Sequence, residues 1–153
     1  MIWLMTPPIA FHDTLPHDAA AVAACLRRED LLLEIPCRVV SAGNRFVFLA
    51  LASREAVDQA EIDMRAFDAL VPGKPHPINL FVFIPTKDGA YSRIFVPQLG
   101  IIEDPATGSA TGPLAAFMRE YDLLPGAGVH IFSEQGTKMR RRSFLHVPFA
   151  GMH

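Results

Sequence analysis

The chain has 153 residues, of which 50% are hydrophobic and 20% charged, a size and balance that fit one folded domain and exclude a disordered tail. Fourteen Lys and Arg against sixteen Asp and Glu give a net charge of −2, which leaves no positive surplus for binding nucleic acid or an anionic membrane by counterion release. Cys25 and Cys37 cannot build a disulfide framework and read as core or surface residues. His12, His17, His76, His130, His146 and His153 are scattered without an HExxH or HxH pair, so no metal site is expected.

The first eight residues carry no basic segment and break at Pro7-Pro8, unlike a signal peptide. The longest clearly apolar run, residues 77–85, is far short of the ~20 residues of a spanning helix. A soluble, cytoplasmic protein is expected, with no nucleic-acid or membrane partner. Residues 18–26 are rich in good helix formers, with Asp18 placed as N-cap and Arg27-Arg28 at the C-terminal end. Residues 37–40 and 46–51 read as strands around a Ser41–Asn44 turn. Val57, Ala60, Ile62, Met64, Phe67 and Leu70 recur at roughly helical spacing and predict one helix over 54–70. Strands follow at 78–84 and 91–96 about a Lys87-Asp88-Gly89 turn. A helix is predicted from Gly108 to Tyr121, then strands at 128–133 and 143–147. The pattern predicts an α+β domain with a largely antiparallel sheet. Phe46, Phe48, Phe81, Phe83 and Phe95 are expected in its core, and His130 and His146 as sheet residues. The basic run Arg140–Arg142, with Lys138 nearby, reads as a solvated face.

One stretch differs from the rest. Glu103, Asp104 and Pro105 lead into a loop of small residues, Ala106 to Gly112, that opens directly onto an apolar helix. Pro113 suits a first helical turn. Gly108 and Gly112 permit close backbone approach to a ligand, and Thr107, Ser109 and Thr111 supply hydroxyls beside the N–H groups of the helix start. This combination describes an anion pocket at a helix N-terminus. The other reading is a well-capped core helix with a Gly-rich lead-in, and spacing alone leaves both open. No lysine follows the glycines as a P-loop requires. Two neighbouring acids would repel a phosphate yet tolerate one small carboxylate, leaving a side chain for proton transfer.

These residues resemble the PhzF-like isomerase family of phenazine biosynthesis, which has the diaminopimelate epimerase fold. The family's Glu-Asp-Pro-x-Thr-Gly-Ser-Ala loop corresponds to Glu103–Ala110, and its Gln-Gly-x-x-Met-Gly-Arg-Pro-Ser block to Gln135–Ser143, with Arg140 and Arg142 in place of Gly and Pro. The order of elements also fits, from Trp3 and Pro7-Pro8 through the Ser41–Gly43 turn to Ser53 and its helix. The resemblance implies a mostly antiparallel sheet curled around a central helix, one half of a two-domain architecture with the active site between the halves. Residues 1–153 would form one PhzF-like C-terminal domain, truncated at both ends relative to the family. The family's catalytic glutamate and its Pro-Phe-x-Gly-His-Pro segment belong to the other domain and have no counterpart here; the tail Pro148–His153 only superficially echoes the latter.

What the resemblance implies for function is cofactor-independent isomerisation by proton transfer on a small carboxylate substrate such as a cyclohexadiene acid. Asp104 and Ser109 would be the catalytic residues, with Glu103, Thr107, Gly108, Ala110 and Thr111 binding substrate and Arg141 pairing with an acid or reaching the site. Thr107 stands where thiol-using epimerases of this fold carry cysteine; a hydroxyl cannot act as that base, which excludes a two-thiol racemase. The implied partner is a second copy of the chain or a separate N-terminal-half polypeptide. The competing class is a non-catalytic truncated or split-gene half, acting as a subunit or small-anion-binding module.

Overall fold

The computed structural model describes residues 8–72, 78–96, 101–104, 108–124, 130–136 and 143–148; of these, 101–104, 108, 130–133 and 143–148 are described by backbone alone. The elements run β1 (Ala10–Leu15), α1 (His17–Ala23), β2 (Cys37–Ala42), β3 (Asn44–Ala50), α2 (Arg54–Gln59), α3 (Met64–Leu70), β4 (Ile78–Thr86), β5 (Gly89–Val96), β6 (Ile101–Asp104), α4 (Thr111–Glu120), β7 (His130–Gln135) and β8 (Ser143–Pro148). Short 3₁₀ turns at Arg28–Asp30 and Gly108–Ala110 complete the set.

All eight strands join one sheet in the order β1-β2-β3-β4-β5-β7-β8, with β6 also paired to β5. Most pairings are antiparallel, as expected from the hairpin-length turns. Two are parallel, β3 with β4 and β5 with β7, because a helical segment intervenes in each case and crosses over before the chain re-enters the sheet.

Alternation along the central strands separates two cores. Val47, Leu49, Ile78, Leu80, Val82, Tyr91 and Phe95 pack with residues of α1, α2 and α3 on one face. Phe46, Phe48, Phe81, Phe83, Ile94 and Val96 pack with Leu114, Phe117 and Met118 of α4 on the other. The five expected core phenylalanines are all buried, four under α4 and Phe95 on the opposite side. α4 touches β2, β3 and β8, although β2 and β8 are five strand positions apart in the sheet order. A flat sheet would separate them by roughly 24 Å, about twice a helix diameter, so the sheet must curl around α4.

The helices differ from the sequence expectation for local reasons. The predicted helix over 54–70 is two helices. α2 is capped by Ser53, whose Oγ accepts from the Ala56 N–H at 3.0 Å, and α3 by Asp63, whose carboxylate accepts from Ala66 N–H at 3.0 Å. Between them the N–H groups of Glu61 and Asp63 donate to the carbonyls of Ala24 and Ala23. From the sheet, Arg93 Nη1 donates to the carbonyls of Val57, Asp58 and Ala60 at 2.7–2.9 Å. Helix-ending carbonyls thus find a buried cation, which favours the break over continuation. Asp18 is not the N-cap of α1: Pro16 occupies that position, and Asp18 lies in the first turn, where it receives a 2.8 Å bond from Arg28. α1 ends well before Arg27, with Cys25 at φ 56° and the Leu26 N–H reaching back to the Ala21 carbonyl, a Schellman closure. α4 closes the same way through Asp122 at φ 56° and the Leu123 N–H to Met118 carbonyl bond. The β2–β3 connection is a single residue, Gly43, at φ 84°, a conformation that glycine adopts without a Cβ clash.

β1 and β6 had no counterpart in the expected elements. β1 is a half-exposed edge strand containing His12 and Asp13, so it lacks a strong apolar alternation. Lys138, Met139, Arg140–Arg142, Trp3, Pro7 and the tail after Pro148 lie outside the described residues. Among the described residues, no helix is long and apolar enough to cross a membrane.

Two buried acids tie stability to pH. Burial pushes the Cys37 thiol up to about 12. Tyr91 is also pushed up to about 12, by burial first and by the hydrogen bond its hydroxyl donates to Asp58 second. Both are neutral in the fold and ionise more readily in the unfolded chain, near 9 and 10. Their stabilisation is therefore complete below pH 9 and is lost as pH rises towards 12. The urea midpoint should fall steeply between pH 9 and 11, and Cys37→Ala combined with Tyr91→Phe should flatten that fall. A midpoint that is level from pH 8 to 11 in the wild type would contradict it.

Candidate active site

β6 pairs with the C-terminal half of β5, with Asp104 opposite Ile94, while β7 takes the N-terminal half of the same edge. The strand therefore ends inside the sheet, and the backbone of Glu103 and Asp104 is anchored there rather than in a loop. Thr107 lies outside the described residues. The chain re-emerges as the 3₁₀ turn Gly108–Ala110, which runs directly into α4 at Thr111. The predicted helix from Gly108 is thus correct in position but tighter in its first turn. Ala110 is the N-cap and is fully buried, and its methyl group offers no acceptor. The helix start carries the positive end of the helix dipole.

α4 runs alongside β3 in the same direction. Phe117 stacks on Phe48 with centroids 5.4 Å apart and meets Phe83 edge-on at 5.8 Å. Eight residues of helix between Ser109 and Phe117 span about 12 Å, and four residues of strand between Asn44 and Phe48 span about 13 Å. The match sets the helix start beside the tip of the β2–β3 hairpin. There Asn44 Nδ2 donates to Ser109 Oγ at 3.2 Å. Because Ser109 accepts this bond, its own hydroxyl proton stays available to an external acceptor. Ser109 is exposed and Thr111 partly buried.

Of the candidate residues, Ser109, Gly108, Ala110 and Thr111 come together in one turn, and Glu103 and Asp104 lie on β6. Asn44 is the residue that the sequence reading missed as part of this cluster. Its signal was the Gly-Asn pair closing the 41–44 turn, but only the tertiary fold brings it to Ser109. From the second block, Gln135 is fully buried at the end of β7 and Gly136 has φ 77°; Arg141 is outside the described residues. Neighbouring Glu134 accepts from Arg54 at 3.1 Å on the opposite face. His130 and His146 lie on β7 and β8, as expected. Among the described residues, no three His, Cys, Asp or Glu side chains gather as a metal site.

The model of the phenazine biosynthesis-like protein (PhzC-PhzF) family matches residues 1–152. The chain belongs to this family. It is 32% identical over 148 residues to the trans-2,3-dihydro-3-hydroxyanthranilate isomerase of Pseudomonas fluorescens, covering 96% of the chain and 50% of that protein. It is 30% identical over 127 residues to the uncharacterized isomerase YddE of Escherichia coli K12, covering 80% of the chain and 42% of that protein. The crystal structure of a PhzF-family phenazine biosynthesis protein from Bacillus anthracis superposes with a TM-score of 0.80 at 20% identity, over 92% of the chain and 49% of that structure. The PhzF-family chain therefore has the epimerase-like α+β fold and spans about half the length of the relatives it matches.

The Asn44–Ser109 contact is expected to couple the hairpin to the helix start. Asn44→Ala and Ser109→Ala in a double-mutant cycle should show a coupling of roughly 0.5–1.5 kcal/mol in urea unfolding. Strict additivity would mean that the hairpin does not hold Ser109.

Proposed function

We propose that this chain supplies the carboxylate-binding and proton-relay half of a cofactor-independent isomerase site, and that a carboxylate from a second domain supplies the base. The observation that carries this reading is the exposed Ser109 at the start of α4, whose hydroxyl oxygen is held by Asn44. A helix start favours an anion. The ligand fitting it is a small carboxylate, such as a cyclohexadiene acid of the kind named for the Pseudomonas relative. The amides of Gly108 and Ser109 and the Ser109 hydroxyl hold the carboxylate, with Glu103, Thr107, Ala110 and Thr111 around it. Asp104 positions or relays the proton that leaves one ring carbon and is returned to another. The proton count is unchanged and the double bond moves, so no redox partner is needed.

Residues 1–153 are, on this reading, a C-terminal domain. The other domain lies outside these residues; a separate polypeptide, or a second copy of the chain paired as a C2 dimer, are two ways to supply it. A second reading takes the chain as a non-catalytic subunit or anion-binding module that holds the carboxylate without the base.

The two readings separate in one experiment. The chain alone should turn over trans-2,3-dihydro-3-hydroxyanthranilate negligibly, because a general base typically contributes 10²–10⁴-fold, by order of magnitude. Adding an N-terminal half that carries the missing glutamate should restore turnover, and Asp104→Asn should reduce it again. Robust turnover by the chain alone, abolished by Asp104→Asn, would make it a complete enzyme; no turnover with the added half would favour the non-catalytic module. For binding, Ser109→Ala should weaken a small carboxylate by roughly 1.5–3 kcal/mol, the value of one hydrogen bond to a charged group. Unchanged affinity would remove Ser109 from the site.

A further inference from the structure

The bond between Asn44 and Ser109 has a direction, and the direction decides what Ser109 can offer a ligand. A serine hydroxyl holds one proton and two lone pairs, whereas a carboxamide donates only through nitrogen and accepts only through oxygen. The contact runs from Asn44 Nδ2 to Ser109 Oγ at 3.2 Å. That length falls in the N–H···O range and is long for a hydroxyl donating to oxygen, which centres on about 2.7–2.8 Å. The hairpin therefore fills a lone pair of Oγ and leaves the hydroxyl proton out of the bond.

Asn44 is well placed to hold that direction. It is the first residue of β3 and pairs with Ala42 across the one-residue turn at Gly43. Phe46 and Phe48, which follow it on the same face, are fully buried in the core under α4. A donor anchored in this way is already ordered before a ligand arrives. Asn44 and Ser109 are themselves both exposed, so the pair is open to a ligand from solvent.

We propose that Asn44 sets the polarity of the candidate site: by donating to Ser109 it makes the hydroxyl a donor towards the ligand, and so selects an ionised carboxylate over the carboxamide of the same shape. This rests on the reading of Ser109 as a carboxylate contact. The amides of Gly108 and Ser109 and the Ser109 hydroxyl then all donate. A carboxylate accepts on both oxygens, whereas a carboxamide must set its NH₂ group against one of these donors. Asn44 acts through Ser109 and is a positioning residue. An aspartate in its place could only accept; it would take the Ser109 proton and turn the lone pairs of Oγ to the ligand.

The test titrates benzoate and benzamide into the 153-residue chain at pH 7 by calorimetry. Wild type should bind benzoate about tenfold tighter or more, the value of one hydrogen bond to a charged group. Asn44→Asp, nearly the same size, should weaken benzoate by about tenfold or more without weakening benzamide. Damage to the hairpin would lower both ligands alike, whereas a change of polarity moves their ratio. The new charge also repels benzoate, by about threefold at ~6.5 Å in water. In a Ser109→Ala background, with no hydroxyl to reverse, Asn44→Asp should therefore cost no more than about threefold. Asn44→Ala, which frees the hydroxyl to rotate, should fall between wild type and Asn44→Asp. A cost of Asn44→Asp that is the same with serine or alanine at position 109 overturns the role of Asn44, as does an unchanged benzoate affinity; in both cases the carboxylate site stands. Binding of neither ligand by wild type overturns the carboxylate site and this inference with it.

Discussion

Phe117 stacked on Phe48 fixes where α4 lies, and through it where everything functional in this domain lies. The contact sits at the centre of an aromatic cluster formed by Phe46, Phe81, Phe83 and Tyr121. Aromatic pairs of this geometry add roughly 0.5–1.5 kcal/mol to the stabilisation from burial alone. More important than the energy is the register it imposes. With Phe117 over Phe48, the helix start can only lie beside the β2–β3 hairpin, and the 3₁₀ turn before it must follow from the end of β6. Ser109 is exposed because the helix extends just beyond the rings that bury its middle.

The opposite face of the sheet explains why the strands beneath α4 are so regular. β3 and β4 run parallel because α2 and α3 cross over behind them, and that crossover is held by polar groups. Arg93 reaches from β5 to three carbonyls at the end of α2, Arg54 stacks on Tyr91 with its Cζ 3.7 Å from the ring centroid, and Glu134 of β7 accepts from Arg54. Removing Arg93 would take a donor from three carbonyls at once, a loss larger than that of one apolar contact. The two faces thus divide the work: polar fastening behind the sheet fixes the strands, and aromatic packing in front places the helix.

Much of this was legible in the residues. The strands at 46–51, 78–84 and 91–96 announce themselves by dense Phe, Val and Ile, and the stretch Glu103–Ala110 by its small-residue loop opening onto an apolar helix. Burial of Phe46 and Phe81 follows directly from their spacing. What could not be read is tertiary in origin. The break at residues 60–63 contains neither Gly nor Pro; it arises because Arg93 and the end of α1 bind the backbone there. The parallel pairings depend on which strands become neighbours. Asn44 looked like a turn residue until the fold set it against Ser109.

The most direct test of the account is the response of backbone amides to a small acid. Titrating benzoate into the ¹⁵N-labelled chain should shift the amides of Gly108, Ser109, Ala110 and Thr111 saturably, together with the side-chain amide of Asn44. Sulfate should compete, and residues on the α1–α3 face should stay still. If the signals of residues 108–111 do not move, or move no more than those of the opposite face, the start of α4 is a helix end resting on a hairpin and not a carboxylate site.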